Sequence, residues 1–443
     1  MENLRQHWRK DLLLQKVVRN SGYLLSSNVF SVIQSILTGR LLGIMGFGII
    51  GTITVFASTF NRLFSFRMNE LVVKYYGEFT TKHQLKRASA VIKAAIIAES
   101  TSALLSFIIC ILLAPYAALK LADDPSTAQH FILYSTIILA NFITETSTGV
   151  LQVNNRFRDQ AKINFLSNIL TALVIVWAYL TKGGLHEIVT AYMLGKFVIG
   201  LGTAIIGFRE LNSTLGKDWW KTSFKHLPAV KELFNFAFST NISSTIIMLV
   251  RDNEVLWIAY FLSPLEAGYA KTALAIINLV QMPITPLIST TYPEINHAVT
   301  KRDWKIVKSL IKKVTLISGG WTCLSTMGLA LFGKWLLLFY GHEFIPAYSP
   351  MLLFLIGLGY SNIFFWNRPL LLSLGLPLVP YKISLWCGIA KISLTFLLVP
   401  SFGLGFEAML LSAFFVISIT WIVVRGLQEI HNREKADAAG ATA

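Results

Sequence analysis

TGRLLGIMGFGIIG, Thr38 to Gly51, and FLSPLEAGYAKTALAII, Phe261 to Ile277, read as two versions of one plan. Sliding the chain against itself by 220 positions lays Gly48 on Gly268 and Thr52 on Thr272. Further along, Lys162, Ile163, Ile169, Gly183 and Glu187 fall on Lys382, Ile383, Ile389, Gly403 and Glu407. A single match means little in an apolar sequence, but one offset shared by several segments points to an internal duplication.

The duplicated unit is made of membrane spans. Of 443 residues, 54% are hydrophobic and only 14% charged, with a mean hydropathy of +0.58; soluble domains devote about a quarter of their residues to charge. Apolar runs long enough to cross ~30 Å of hydrocarbon recur throughout. Twelve are expected, at 20–42, 47–73, 91–117, 130–153, 161–181, 187–208, 232–262, 267–292, 310–339, 347–373, 381–400 and 404–425, numbered spans 1 to 12 below. Strand-type alternation is absent, so the spans are helices. The offset lays span 1 on span 7 and so on to span 6 on span 12. The expected fold is an all-α polytopic membrane protein with 12 transmembrane helices in two pseudo-symmetric six-helix lobes. The N-lobe covers 1–208, a polar cytoplasmic linker 209–231, the C-lobe 232–425 and a cytoplasmic tail 426–443. An even number of spans per lobe makes the repeats parallel, and such transporters place substrate between lobes near the midplane. Residues 1–16 read either as an interfacial helix, with Leu4, Trp8 and Leu12 among basic residues, or as a basic tail; a cleaved signal peptide is not expected.

Loop charges fix the expected orientation. With the N-terminus cytoplasmic, one side collects the basic clusters around Arg5–Arg19, Lys74–Lys93, Arg156–Lys162, Arg209–Lys231, Lys301–Lys313 and Arg425–Lys435, while the other keeps Lys120, Lys182 and Lys334. Both termini are therefore expected inside. The net charge of +16 is positive-inside bias rather than a nucleic-acid surface. Cys110, Cys323 and Cys387 sit at unrelated positions within spans and form neither a disulfide framework nor a metal site. No phosphate-binding loop or hydrolase signature occurs, and the outer loops are too short for a lipid-modifying ligase or polymerase. No cofactor or metal is expected; any work must draw on an ion gradient, such as H⁺ or Na⁺, the membrane potential or the substrate's own gradient.

The informative residues are charges inside the spans: Arg40, Arg62, Arg67, Lys196, Arg251, Lys271, Arg368 and Lys391, with Glu70, Glu99, Glu145, Asp252 and Glu254 among the acids. A charge at a helix centre costs about 2.5–3.5 kcal/mol or more, so it persists where it is paired, hydrated or useful. The bases exceed the acids, which describes a cationic interior. The repeat does not copy them: Arg62 falls on Met282, Arg67 on Leu287, Arg251 on Ser31, Arg368 on Thr148, Lys271 on Gly51 and Lys391 on Thr171. An asymmetric anionic ligand would leave that pattern; drift after duplication would leave it too. In a continuous helix over FNRLFSFRMNELVV, Phe60 to Val73, Ser58, Arg62, Ser65 and Asn69 share one polar stripe, and Arg67, Glu70 and Lys74 share another. Arg62 then lies roughly 18 Å deeper than Lys74. Arg67 either pairs with Glu70 or contributes to a site. In span 7, Arg251 with Asp252 and Glu254 either binds anion or forms an ion-pair gate. Pro369 is expected to break span 10 after Arg368, and Pro283 and Pro286 to bend span 8. Glu187 and Glu407, duplicated at helix starts, read as N-terminal charges, and Trp219 and Trp220 as interfacial.

The two opening stretches resemble the first turns of each half in Wzx-type oligosaccharide flippases of the multidrug/oligosaccharidyl-lipid/polysaccharide (MOP) exporter superfamily. Many relatives carry proline and an acidic residue there; this chain keeps Pro264 and Glu266 in the second half but has Ile44 and Met45 in the first. The resemblance covers nearly the whole chain and implies alternating-access flipping of undecaprenyl-pyrophosphate-linked oligosaccharide, an O-antigen or other surface polysaccharide unit, across a bacterial inner membrane. Arg62 lies as far after Gly43 as a headgroup-binding arginine does after the matching glycine in the related lipid II flippases. The implied headgroup ligands are Arg62, Arg251, Arg368, Arg67, Lys196, Lys271 and Lys391. Glu70, Glu99, Asp252 and Glu254 are expected in ion coupling or gating, and Arg40 as a headgroup anchor at the outer rim. The implied partners are membrane lipids, a polysaccharide polymerase and a chain-length regulator, with the chain itself monomeric. The competing reading is a cation-coupled multidrug exporter, which a cationic interior disfavours.

Overall fold

The computed structural model describes residues 12–65, 67–235, 245 and 248–440. Regular structure among these residues is helical throughout, as required where lipid cannot satisfy backbone N–H and C=O groups. Every expected span coincides with helix where it is described, span 7 being described at 232–235, at 245 and from Met248 onward; the expected surface segment 1–16 lies largely outside the described residues. Among the described residues, seven continuous stretches are long and apolar enough to cross a membrane. Two of these hold a pair of spans each. Spans 1 and 2 run together as Leu12–Phe64, folded at Gly43 (φ 68°, ψ 179°), and spans 11 and 12 as Leu378–Gly440, folded at Gly403 (φ 74°, ψ −169°). Both folds use backbone angles open essentially to glycine alone.

The duplication is visible in the chain's interruptions. Gly43 corresponds to Ser263, which lies at the turn between spans 7 and 8, and Gly403 corresponds to Gly183 in the turn before span 6. Span 2 stops at Phe64 and restarts at Met68–Leu71, whereas span 8 breaks into a 3-10 turn at Met282–Ile284, three residues from the equivalent position. Span 4 is divided into Ala128–Ser135, Ile137–Ala140 and Thr144–Val153; its counterpart, span 10, is divided between Tyr348–Ile363 and Asn367–Ser373. Matching interruptions in both halves are the recognised mark of a transport pathway. Pro369 is not the breaker in span 10: the turn falls at Phe364–Trp366, and the proline occupies the first turn of the next helix, where its missing N–H costs nothing. Span 8 does bend beside Pro283 and Pro286.

By internal contacts the chain forms two compact units, one of Phe30–Gly268 and one built on Tyr269–Ala443. In the first, the opening stretches meet. A Cβ at Gly48 would lie 1.9 Å from the Pro264 carbonyl oxygen, and a Cβ at Gly268 would lie 2.3 Å from the Ile44 carbonyl oxygen. Since Ile44 and Pro264 are themselves 220 apart, the contact is reciprocal: each repeat's glycine receives the other repeat's carbonyl. The rest of this unit includes span 3, Leu85–Leu121, the divided span 4, span 5, Phe157–Leu180, and span 6, Leu185–Leu215. Span 6 thus continues helically into the segment expected as linker. Glu187 accepts from the Gly184 N–H at 2.6 Å, the N-terminal role its position suggested.

In the second unit one pair of intramembrane charges is tied down. Lys391 of span 11 and Glu407 of span 12 are paired at 2.5 Å with side chains 2% and 0% exposed, and Thr395 donates to the second Glu407 oxygen at 2.9 Å. Lys391 is therefore a clasp across the fold at Gly403, not a headgroup ligand. Glu407 likewise differs from Glu187: the helix resumes directly after Gly403, and its carboxylate is spent on the lysine. Span 12 extends as one helix into the expected tail as far as Gly440, and meets Arg302, just before span 9 (Trp304–Leu338), through Asp437 at 2.8 Å, and span 9 itself through Trp304–Asp437 at 2.8 Å and Lys308–Glu434 at 2.5 Å.

Two outcomes follow for stability in detergent. Gly48→Ala forces overpacking against backbone and lowers stability by about 1–3 kcal/mol, whereas Gly320→Ala, whose Cβ would meet nothing within 4 Å, leaves it unchanged or raises it by up to ~1 kcal/mol; thermal unfolding compares them. Lys391→Met strands a buried carboxylate and costs about 3–5 kcal/mol, and the double variant Lys391→Met/Glu407→Leu recovers most of that loss.

Candidate functional site

Span 2 is interrupted between Phe64 and Met68. Ser65 hydrogen-bonds back to the Arg62 carbonyl at 3.3 Å, and Arg67 takes left-handed angles (φ 49°, ψ 50°), so the chain turns before restarting at Met68. The single polar stripe expected through Ser58, Arg62, Ser65 and Asn69 therefore ends at Arg62. Ser65 is buried in the turn and Asn69 belongs to a new helix. The depth reckoned along one continuous helix fails for the same reason, and a π-helical turn at Val72–Tyr76 stretches the path further.

Arg62, left at the helix end, reaches span 7. Its Nη1 lies 2.7 Å from Asp252 Oδ2, while Arg251 Nε lies 3.8 Å from Asp252 Oδ1. One turn earlier, Thr59 donates to the Asn253 side-chain oxygen at 2.9 Å. Span 7 presents Arg251 and Asp252 from a π-helical turn, Met248–Asp252, fastened by the Trp257 indole donating to the Leu249 carbonyl at 2.8 Å. Such turns recur at functional sites because they widen the helix and aim side chains that a regular turn would direct elsewhere. Two guanidiniums thus share one carboxylate and leave a surplus positive charge. Arg62 and Arg251 are 50% and 53% exposed, so several of their N–H groups remain open to solvent or ligand. Glu254, next in the chain, is buried.

A second cluster lies at the restart of span 2. Arg67 pairs with Glu70 at 2.6 Å, three residues on. Glu99 of span 3 is buried, its two oxygens accepting from the backbone N–H groups of Glu145 (2.8 Å) and Thr146 (3.0 Å). It caps the last helix of span 4 in trans, an N-terminal anchor that accounts for its burial. The Glu145 carboxylate in turn faces Ser65, Arg67 and the backbone N–H groups of Met68 and Asn69. Glu145 was legible as an acidic neighbour but not as part of this chain of caps; the polar run Thr144–Thr148 inside a span was its signal.

The other expected ligands are not gathered here. Lys196 is exposed on span 6, and no hydrogen bond or ion pair among the described residues joins it to either cluster. Lys271, Arg368 and Lys391 belong to the other compact unit, with Arg368 exposed at the start of Asn367–Ser373. Trp219 and Trp220 divide: the first is buried, 6.1 Å from the Phe208 ring, and the second is exposed.

Comparison with known proteins places this geometry. The chain is 26% identical over 353 residues to the inner membrane protein YghQ of Escherichia coli K12, covering 78% of this chain and 98% of that one. Its fold is similar to an inward-facing MATE-family multidrug resistance transporter of the MOP superfamily (TM-score 0.74, 12% identity, 92% of this chain and 96% of that one). It is also similar to the lipid II flippase MurJ in an inward closed conformation (TM-score 0.69, 14% identity, 93% and 88%). A further likeness is to a MOP-superfamily transporter from Pyrococcus furiosus described as having a binding pocket of reverse polarity (TM-score 0.62, 12% identity, 95% and 96%). These likenesses establish the MOP-exporter fold. The sequence pattern of the polysaccharide biosynthesis protein family matches residues 14–299, more than half the chain, and the protein belongs to that family.

Proposed function

We propose that the protein flips undecaprenyl-pyrophosphate-linked oligosaccharide from the inner to the outer leaflet of a bacterial inner membrane, by alternating access, with both termini cytoplasmic. The observation that carries this reading is the surplus charge of the Arg62–Asp252–Arg251 cluster, on a fold shared with flippases and in a polysaccharide biosynthesis family. A pyrophosphate offers oxygens that a guanidinium fork can take two at a time. Its arrival would compete with Asp252 for both arginines, so ligand and carboxylate act as alternative partners. Asp252, set free, is then the group suited to bind H⁺ or Na⁺ during return of the empty carrier, with Glu254 and Glu70 as further candidates. Lys196, Lys271 and Arg368 would follow the headgroup elsewhere on its path. A polymerase and a chain-length regulator would take the product on the far side.

The test is restoration of surface polysaccharide in a flippase-deficient strain. At matched expression, Arg62→Ala and Arg251→Ala each lower polysaccharide by about tenfold or more, the loss of a charged contact worth ~1.5–3 kcal/mol, while Asp252→Asn is milder. Equal damage from Arg62→Ala and Asp252→Asn, with a non-additive double variant, would reduce the cluster to a structural ion pair. Resistance to cationic drugs without polysaccharide rescue would assign the protein to the exporters.

A further inference from the structure

Away from the Arg62–Asp252–Arg251 cluster, span 3 and the segment Gly216–Phe234 border a run of three open cavities, with span 6 contributing to the first and span 2 to the third. The first, about 510 Å³, is lined by Lys93, Asn212, Lys217, Trp219 and Trp220 above a floor that includes Ile97. Ile97 also lines the second, about 610 Å³, with Phe224, Leu227 and Pro228. Ala94 and Ala98 carry that one into the third, about 470 Å³, which Leu71, Leu105 and Phe234 help to close. Each is of ligand size. Both lysines line the first cavity, whereas the side chains lining the other two are apolar apart from Thr101 and Ser102.

The lysines are placed for an anion. Lys93 is held over the segment it faces, 4.4 Å above the Phe224 ring and 3.4 Å from the Thr222 carbonyl oxygen, contacts that leave its charge uncompensated. Lys217 is exposed and has no acidic partner among the described residues, whereas nearby Lys221 is neutralised by Asp218 at 2.7 Å. Trp219 is locked by its indole N–H to the Asn212 side-chain oxygen at 2.9 Å, while Trp220 stays exposed, as indoles do at a membrane interface.

We propose that this run binds one anionic glycerophospholipid of the surrounding leaflet, its phosphate between Lys93 and Lys217 and one acyl chain along Ile97, Ala98 and Leu105. Charge complementarity at one end and an apolar groove at the other match a single amphiphile. The bound lipid ties the segment Gly216–Phe234 to span 3, and the inference stands whether or not the protein is a flippase.

The full chain in phosphatidylcholine nanodiscs tests it through tryptophan fluorescence, using phosphatidylglycerol with brominated chains as quencher. Trp220→Phe isolates the local signal among eleven tryptophans. Saturable quenching at a few mole per cent is expected, weakened about tenfold or more in Lys93→Gln/Lys217→Gln and abolished by filling the groove with Ala98→Phe. Brominated phosphatidylcholine quenching equally well, or an unchanged response in the double-lysine variant with an unchanged melting temperature, overturns the proposal. So does displacement of the probe by a polyprenyl phosphate at lower mole fraction than by phosphatidylglycerol, which would reassign the run to the transported lipid.

Discussion

The packing of this protein turns on two backbones touching at Gly48 and Gly268. In a bilayer, helices gain little by burying apolar side chains, because lipid is as apolar as leucine, and association depends on close van der Waals approach. A carbonyl oxygen sitting where a Cβ would be is as close as two helices come. Because each glycine receives the carbonyl of the other's equivalent neighbour, the contact is an internal symmetry written in atoms. Gly43 and Ser263, which reverse the chain just before each contact, deliver the two helices to it.

Around that symmetric frame the charges are arranged without symmetry. Asp252 holds Arg62 and Arg251, Glu99 caps the end of span 4, Glu145 faces the restart of span 2, and Glu407 clasps Lys391. Most are carboxylates spent on holding helix ends or single bases. Of these, the Arg62–Asp252–Arg251 group combines exposure with a surplus of one sign. That distinction separates a charge kept for architecture from one available to a ligand, and counting charges within the spans does not reveal it.

Much of the fold was legible in the sequence because hydropathy and glycine act locally. The twelve spans, the reversals at Gly43 and Gly403, and the Arg67–Glu70 pair all depend on residues within a few positions of one another. What escaped was non-local or contrary to local habit. Arg67 adopts angles usual for glycine, so nothing announced the break before Met68, and the polar stripe drawn across it failed. Lys391 looked like a ligand until a partner sixteen residues on, beyond a tight fold, came beside it. Pro369 drew attention from a turn made by its neighbours. The Arg62–Asp252 pair joins residues 190 apart, a distance that no periodicity reports.

The helix that follows Gly403 bears on mechanics. From Leu404 to Gly440 it runs without interruption, ~55 Å at 1.5 Å per residue, nearly twice the ~30 Å hydrocarbon thickness. Its far half is surplus to a hydrocarbon crossing, and there Asp437 and Glu434 meet Arg302, Trp304 and Lys308 at the start of span 9. A rod so fastened tilts as a whole. Any rocking of span 12 is carried to its tip with greater amplitude, and the contacts to the start of span 9 are the ones it strains first.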